Sequence, residues 1–101
     1  MKKVALIVAG GKGERMNADI PKQFLLLNNL PILMHTLKKF SHFEEIVLVL
    51  PKSQFDYWNG LCKNNNFTQI HILVEGGETR FHSVKNGLDK IDNTSVVAIH
   101  D

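Results

Sequence analysis

The chain has 101 residues, enough for one domain and too few for two. Its 44% hydrophobic and 22% charged residues are an ordinary globular mix that argues against disorder, and twelve Lys/Arg against ten Asp/Glu leave a net charge of +2, too weak for a general nucleic-acid binder. The single cysteine, Cys62, excludes an internal disulfide and a Cys-based zinc site, and no apolar run reaches the ~20 residues that would span a bilayer.

Four short apolar runs punctuate the chain: Val4 to Val8, Ile46 to Leu50, Ile70 to Val74 and Val96 to Ile99. The first, second and fourth are apolar throughout rather than alternating, the pattern of strands covered on both faces in a parallel sheet. The first run follows Met1-Lys2-Lys3, as the apolar region of a signal peptide would. It leads straight into Gly10-Gly11-Lys12-Gly13 with no cleavage site, so it is read as a strand. Helical spacing fills the gaps. Leu33, Leu37 and Phe40 form one stripe. Phe55, Trp58 and Cys62 form a second, with Ser53 as its cap. Phe81, Val84, Leu88 and Ile91 form a third, capped by Thr79. The order β-α-β-α-β-α-β predicts a three-layer α/β/α Rossmann-like fold with a mostly parallel sheet and right-handed crossovers. Gly10 to Leu30 carries no clear helix and reads as a functional loop. The sequence stops at Asp101, directly after the fourth predicted strand, and so reads as the front part of something larger.

Val8-Ala9-Gly10-Gly11-Lys12-Gly13-Glu14-Arg15-Met16 leaves the first strand. Glycines there permit positive φ and bring backbone N–H groups close to an anion. Lys12, Arg15 and Lys22 add positive charge. The Walker pattern is absent, and the dinucleotide pattern fails because position 16 is Met. An ordinary tight turn would explain a lone glycine pair, but three glycines with Arg15 and Lys22 favour a polyphosphate cradle. In Pro21-Lys22-Gln23-Phe24, Pro21 fixes the local backbone and so holds Lys22 on a defined path.

These two segments, with Leu30-Pro31-Ile32-Leu33-Met34-His35-Thr36-Leu37, resemble the 2-C-methyl-D-erythritol 4-phosphate cytidylyltransferase family. Gly76-Gly77-Glu78-Thr79-Arg80-Phe81-His82-Ser83 resembles its second signature, and Ile99-His100-Asp101 the start of its third. Ribitol 5-phosphate cytidylyltransferases share much of the pattern. The resemblance implies a nucleotidyltransferase fold and transfer of CMP from CTP to a sugar-alcohol phosphate in isoprenoid-precursor synthesis. It implies Arg15 and Lys22 as transition-state stabilisers, and Ala9, Gly10, Gly11 and Gly13 as the wrap around the triphosphate. It further implies Gly77, Glu78 and Ser83 at the cytidine, and Asp101 as the carboxylate for Mg²⁺. The family often has Asp where this chain has Glu78. A cytoplasmic setting and a homodimer of the full-length protein follow from the same resemblance, with no nucleic-acid or membrane partner. The family's acceptor-binding residues and dimer arm lie further downstream, so residues 1–101 are read as the nucleotide-binding part, weak or inactive alone. The competing readings are a nucleotide-binding module without catalysis and an NAD-type domain. The latter is disfavoured by Met16 and by Pro51-Lys52 where an acidic residue would stand.

A sheet order of 3-2-1-4 would place the glycine loop and Asp101 on opposite sides of one crevice. His35 and His71 read as packed or surface residues, His42 as a helix-end residue facing water, and His82 as unassigned. His100 should face away from Asp101. Cys62, Trp58 and Phe55 read as core. Arg80 is a second-rank candidate that could pair with Glu78 or orient the turn.

Overall fold

The computed structural model describes residues 2–9, 20–93 and 95–101. In chain order the elements are β1 (Lys3–Val8), β2 (Leu26–Leu27), β3 (Leu30–Pro31), α1 (Ile32–Lys39), β4 (Glu45–Leu50), α2 (Phe55–Asn64), β5 (Ile72–Glu75), α3 (Arg80–Leu88) and β6 (Val96–His100). Short 3-10 turns occupy Lys22–Phe24 and Lys52–Gln54. The main sheet runs β5-β4-β1-β6 with every pair parallel, which is the 3-2-1-4 order expected from the sequence.

The two central strands explain why their runs are apolar throughout. Ala5, Ile7, Ile46, Leu48 and Leu50 point to one face, where Leu33, Met34 and Leu37 of α1 and Trp58 of α2 cover them. Val4, Leu6, Val47 and Val49 point to the other, where Val84 and Ile91 pack from the α3 side. Period-two alternation thus feeds two separate cores, and each fully buried Leu or Ile contributes roughly 1.5–3 kcal/mol. The chain steps outward from β1 to β4 to β5 with helices on one face. It then returns to β6 with α3 on the other, as crossovers of constant hand require.

Several boundaries differ from the sequence reading. The run Ile70-His71 is not part of the strand. Ile70 is 88% exposed, and the His71 ring turns inward to accept the Trp58 indole N–H at 3.0 Å while its Nδ1 meets the Gln69 carbonyl at 2.9 Å. Phe81 is 70% exposed and Leu88 also faces outward, so α3 approaches the sheet through Val84, Gly87 and Ile91. Gly87 is the contact point: a Cβ there would stand 2.4 Å from Leu6 Cδ1 and 3.0 Å from Val49 Cγ2. Ser53 does not cap α2, because the 3-10 turn intervenes and the helix starts after Gln54. Thr79 does cap α3, its Oγ1 accepting from the His82 N–H at 3.1 Å.

The long segment read as loop contains a tight hairpin. β2 and β3 pair antiparallel around Asn28 and Asn29, whose φ values of 53° and 66° suit a two-residue type I′ turn. His35 Nε2 bonds the Leu27 carbonyl at 2.6 Å and ties the hairpin to α1. Among the described residues, no helix is long and apolar enough to cross a membrane.

Candidate functional site

An open cleft of about 1460 Å³ lies at the carboxyl edge of the sheet. β1 and β6 pair up to Ile7 opposite His100, so Val8-Ala9 and Asp101 leave the sheet side by side. The Ala9 N–H donates to the Val49 carbonyl at 3.0 Å, holding the exit of β1 against β4. Ala9, Lys22, Gly77, Glu78, Ser83 and Asp101 all line this cleft. Gly10, Gly11, Gly13 and Arg15 lie outside the described residues.

One wall is the turn from Glu75 to Thr79, and its shape follows from close packing. The Gly76 N–H donates to the Leu50 carbonyl at 2.8 Å, and the Gly77 N–H to Ser83 Oγ at 3.1 Å. A Cβ on Gly77 would fall 2.4 Å from His82 Cβ, so only glycine fits there. Asn86 Nδ2 donates to the Glu75 carbonyl at 3.0 Å and fastens the end of β5 to α3. His82 gains a local role, its Nδ1 lying 2.8 Å from Thr79 Oγ1 at the capped helix start. These bonds fix the backbone of the turn where it lines the cleft.

Lys22 lines the same cleft. Pro21 is in extended backbone (φ −57°, ψ 145°) and opens the 3-10 turn. Phe24 is buried, stacked on Trp58 with ring centres 6.1 Å apart and tilted against Tyr57 at 5.1 Å. Gln23 Nε2 donates to Gln54 Oε1 at 2.8 Å. Lys52 lines the same cleft from the end of β4. Among the described residues, neither Lys22 nor Lys52 has an ion-pair partner, so both ammonium groups are available to an anion. Sequence reasoning passed over Lys52. The signal was present, since Pro51-Lys52-Ser53-Gln54-Phe55 repeats Pro21-Lys22-Gln23-Phe24 with one residue inserted.

Asp101 meets Arg80 rather than open solvent. Arg80 Nε donates to both carboxylate oxygens at 2.9 and 3.0 Å, and Nη2 stands 2.8 Å from Oδ2. Those bonds, and then the charge of Asp101, raise the Arg80 pKa above its ordinary value. The pair bridges the start of α3 and the end of β6. It is solvent-exposed, so its worth lies in geometry more than in stability. Arg80 thus joins Asp101, not Glu78. Contrary to the alternation expected, His100 lines the same cleft as Asp101, its ring edge-on to Phe40 at 5.7 Å. Its buried Nδ1 has no hydrogen-bond partner among the described residues.

The donor set can be weighed against a divalent ion. No group of three His, Cys, Asp or Glu among the described residues could hold one. Asp101 supplies a hard carboxylate at the cleft, which fits Mg²⁺ only if phosphate oxygens and water complete the shell, the usual habit of that ion. Burial pushes the Cys62 thiol up to about 11, away from any role as a nucleophile.

The sequence profile of the 2-C-methyl-D-erythritol 4-phosphate cytidylyltransferase family matches residues 3–101. The chain belongs to this family. A family enzyme of Bacteroides fragilis is 53% identical over 104 residues, covering 100% of this chain and 48% of its own length. One from Porphyromonas gingivalis W83 is 55% identical over 101 residues, covering 99% of this chain and 46% of its own length. The chain spans about half the length of the curated relatives it matches. Among solved structures, the Francisella tularensis 2-C-methyl-D-erythritol 4-phosphate cytidylyltransferase superposes with a TM-score of 0.74 at 36% identity, over 100% of this chain and 44% of that one. The 4-diphosphocytidyl-2C-methyl-D-erythritol synthase of Anaerococcus prevotii gives 0.75 at 27% identity, over 99% and 42%. The family match spans the glycine loop, the Pro-Lys-Gln turn, the Gly-Gly-Glu turn and Asp101 without a break.

Proposed function

We propose that this chain provides the nucleotide-binding part of an enzyme that transfers CMP from CTP to 2-C-methyl-D-erythritol 4-phosphate and releases pyrophosphate. The observation that carries the reading is the convergence, on one cleft at the strand-order reversal, of a cation with no ion-pair partner among the described residues (Lys22), a glycine turn beside a helix start (Gly77, Glu78, Ser83) and a carboxylate (Asp101). Membership of the family supplies the substrates.

In this reading a phosphate oxygen of the acceptor attacks the α-phosphorus in line, and the bond to the pyrophosphate oxygen breaks. Such chemistry asks the protein for position and charge rather than for a covalent intermediate. The Lys22 ammonium stabilises the negative charge that grows on the phosphoryl oxygens, and Arg15 shares that work. Backbone at Ala9, Gly10, Gly11 and Gly13 wraps the triphosphate. The Gly76–Ser83 turn reads the cytosine edge. Mg²⁺, held through Asp101, would neutralise the triphosphate when bound. The full-length protein is read as cytoplasmic and dimeric.

Calorimetry of the full-length protein with CTP and with ATP tests the nucleotide, and radiolabel transfer to methylerythritol phosphate against ribitol 5-phosphate tests the acceptor. Tight CTP binding and transfer to methylerythritol phosphate are expected. Equal affinity for ATP, or a preference for ribitol 5-phosphate, refutes the assignment. Lys22→Ala is expected to lower kcat on the order of 10²–10³-fold, the usual cost of one oxyanion-stabilising group.

A further inference from the structure

The chain builds the same small device twice. Pro21 and Pro51 both hold extended backbone (φ −57°, ψ 145° and φ −56°, ψ 138°), each opens a 3-10 turn, and each turn sets its lysine on the cleft. The turns are joined side by side by the bond from Gln23 Nε2 to Gln54 Oε1, 2.8 Å long and partly buried, between residues 31 positions apart. Phe24 anchors the first turn in apolar contact with Trp58 and Tyr57. Apolar stacking resists withdrawal of the turn from the core but is non-directional, so it leaves sliding along the α2 surface weakly opposed. The amide pair is directional and shielded, and it fixes the turn against the first residues of α2.

We propose that Gln54 is a positioning residue, acting through Gln23 to hold the turn that aims the Lys22 ammonium into the cleft. The proposal rests on the reading of Lys22 given above. A flexible lysine must reach one developing charge, and a displacement of about 1 Å is enough to cost up to ~10²-fold in rate. Removing the acceptor at Gln54 leaves the Gln23 amide without its partner and frees the turn to shift. Glutamate at position 54 keeps an oxygen in place to accept from Gln23.

The test is steady-state CMP transfer by the full-length protein, with melting temperatures recorded for each variant. Gln54→Ala is expected to lower kcat about tenfold and leave the KM for the acceptor unchanged. Gln54→Glu is expected to restore kcat to near the parent value. In a Lys22→Ala background, adding Gln54→Ala should cost nothing further, because two residues that act as a unit are not additive. A full additional loss in the double variant, or no rescue by glutamate, overturns the positioning role while leaving the site intact. A parent rate in Lys22→Ala alone overturns the reading of the site and the positioning role with it.

Discussion

Among the described residues, Lys22 and Lys52 line the cleft without carboxylate partners, whereas Arg80 is already engaged by Asp101. Single atoms decide what else each position tolerates. At Gly77 the nearest neighbour is a Cβ on a capped helix, which cannot swing aside as a long side chain could. Gly77→Ala should therefore shift the first turn of α3, weaken CTP binding measured by calorimetry and destabilise the fold by roughly 1–3 kcal/mol in urea titration. Cys62 makes the opposite case, a thiol kept quiet by its surroundings. With its pKa raised from 9.0 to about 11, it should react with a disulfide reagent at pH 8 roughly a hundredfold more slowly than an unfolded control. The neutral thiol is the form the fold prefers. The group's contribution is thus intact below pH 9 and lost as pH rises from 9 towards 11, where the unfolded chain gives up its proton first.

The elements show where sequence is informative and where it is not. β1 and β4 were legible because strands buried on both faces leave no polar position to blur the run; β6 was found by the same apolar run but is an edge strand, with Val96 and Ile99 half exposed. The third run misled by two residues, because His71 is drawn in by the Trp58 indole and Ile70 is left outside, a choice made by tertiary contact. The stripe on α3 was half right: Gly87 brings the helix so close to Leu6 and Val49 that Val84 and Ile91 suffice to seal it. The β2–β3 hairpin escaped notice because two-residue strands have no period and its turn is Asn-Asn rather than the more usual Asn-Gly. Ala9, Lys22, Gly77, Glu78, Ser83 and Asp101, singled out through the family resemblance, all line the cleft, whereas the Gln23–Gln54 bond joins residues 31 positions apart that no local pattern links. Two substitutions test these packing claims by chemical denaturation. Thr79→Ala should cost about 1 kcal/mol through loss of the cap. Gly87→Ala should cost about 1–3 kcal/mol by overpacking against Leu6, with circular dichroism showing helix content unchanged.

For the whole molecule, two apolar layers share one sheet, and β1 and β4 belong to both. Amide hydrogen exchange should accordingly be slowest in Ala5–Ile7 and Val47–Val49, where opening requires loss of both layers, and fastest at Asn28-Asn29. β1 also sits between a neighbour met early and one met much later, since Lys3 to Ile7 align with Val96 to His100. Closing that pairing brings together segments far apart in sequence, which raises contact order and slows folding. During synthesis the flank of β1 that pairs with β6 stays bare until Val96–His100 emerge. A nascent chain therefore carries an unprotected strand edge of its own making, open to pairing with another copy until β6 takes its place.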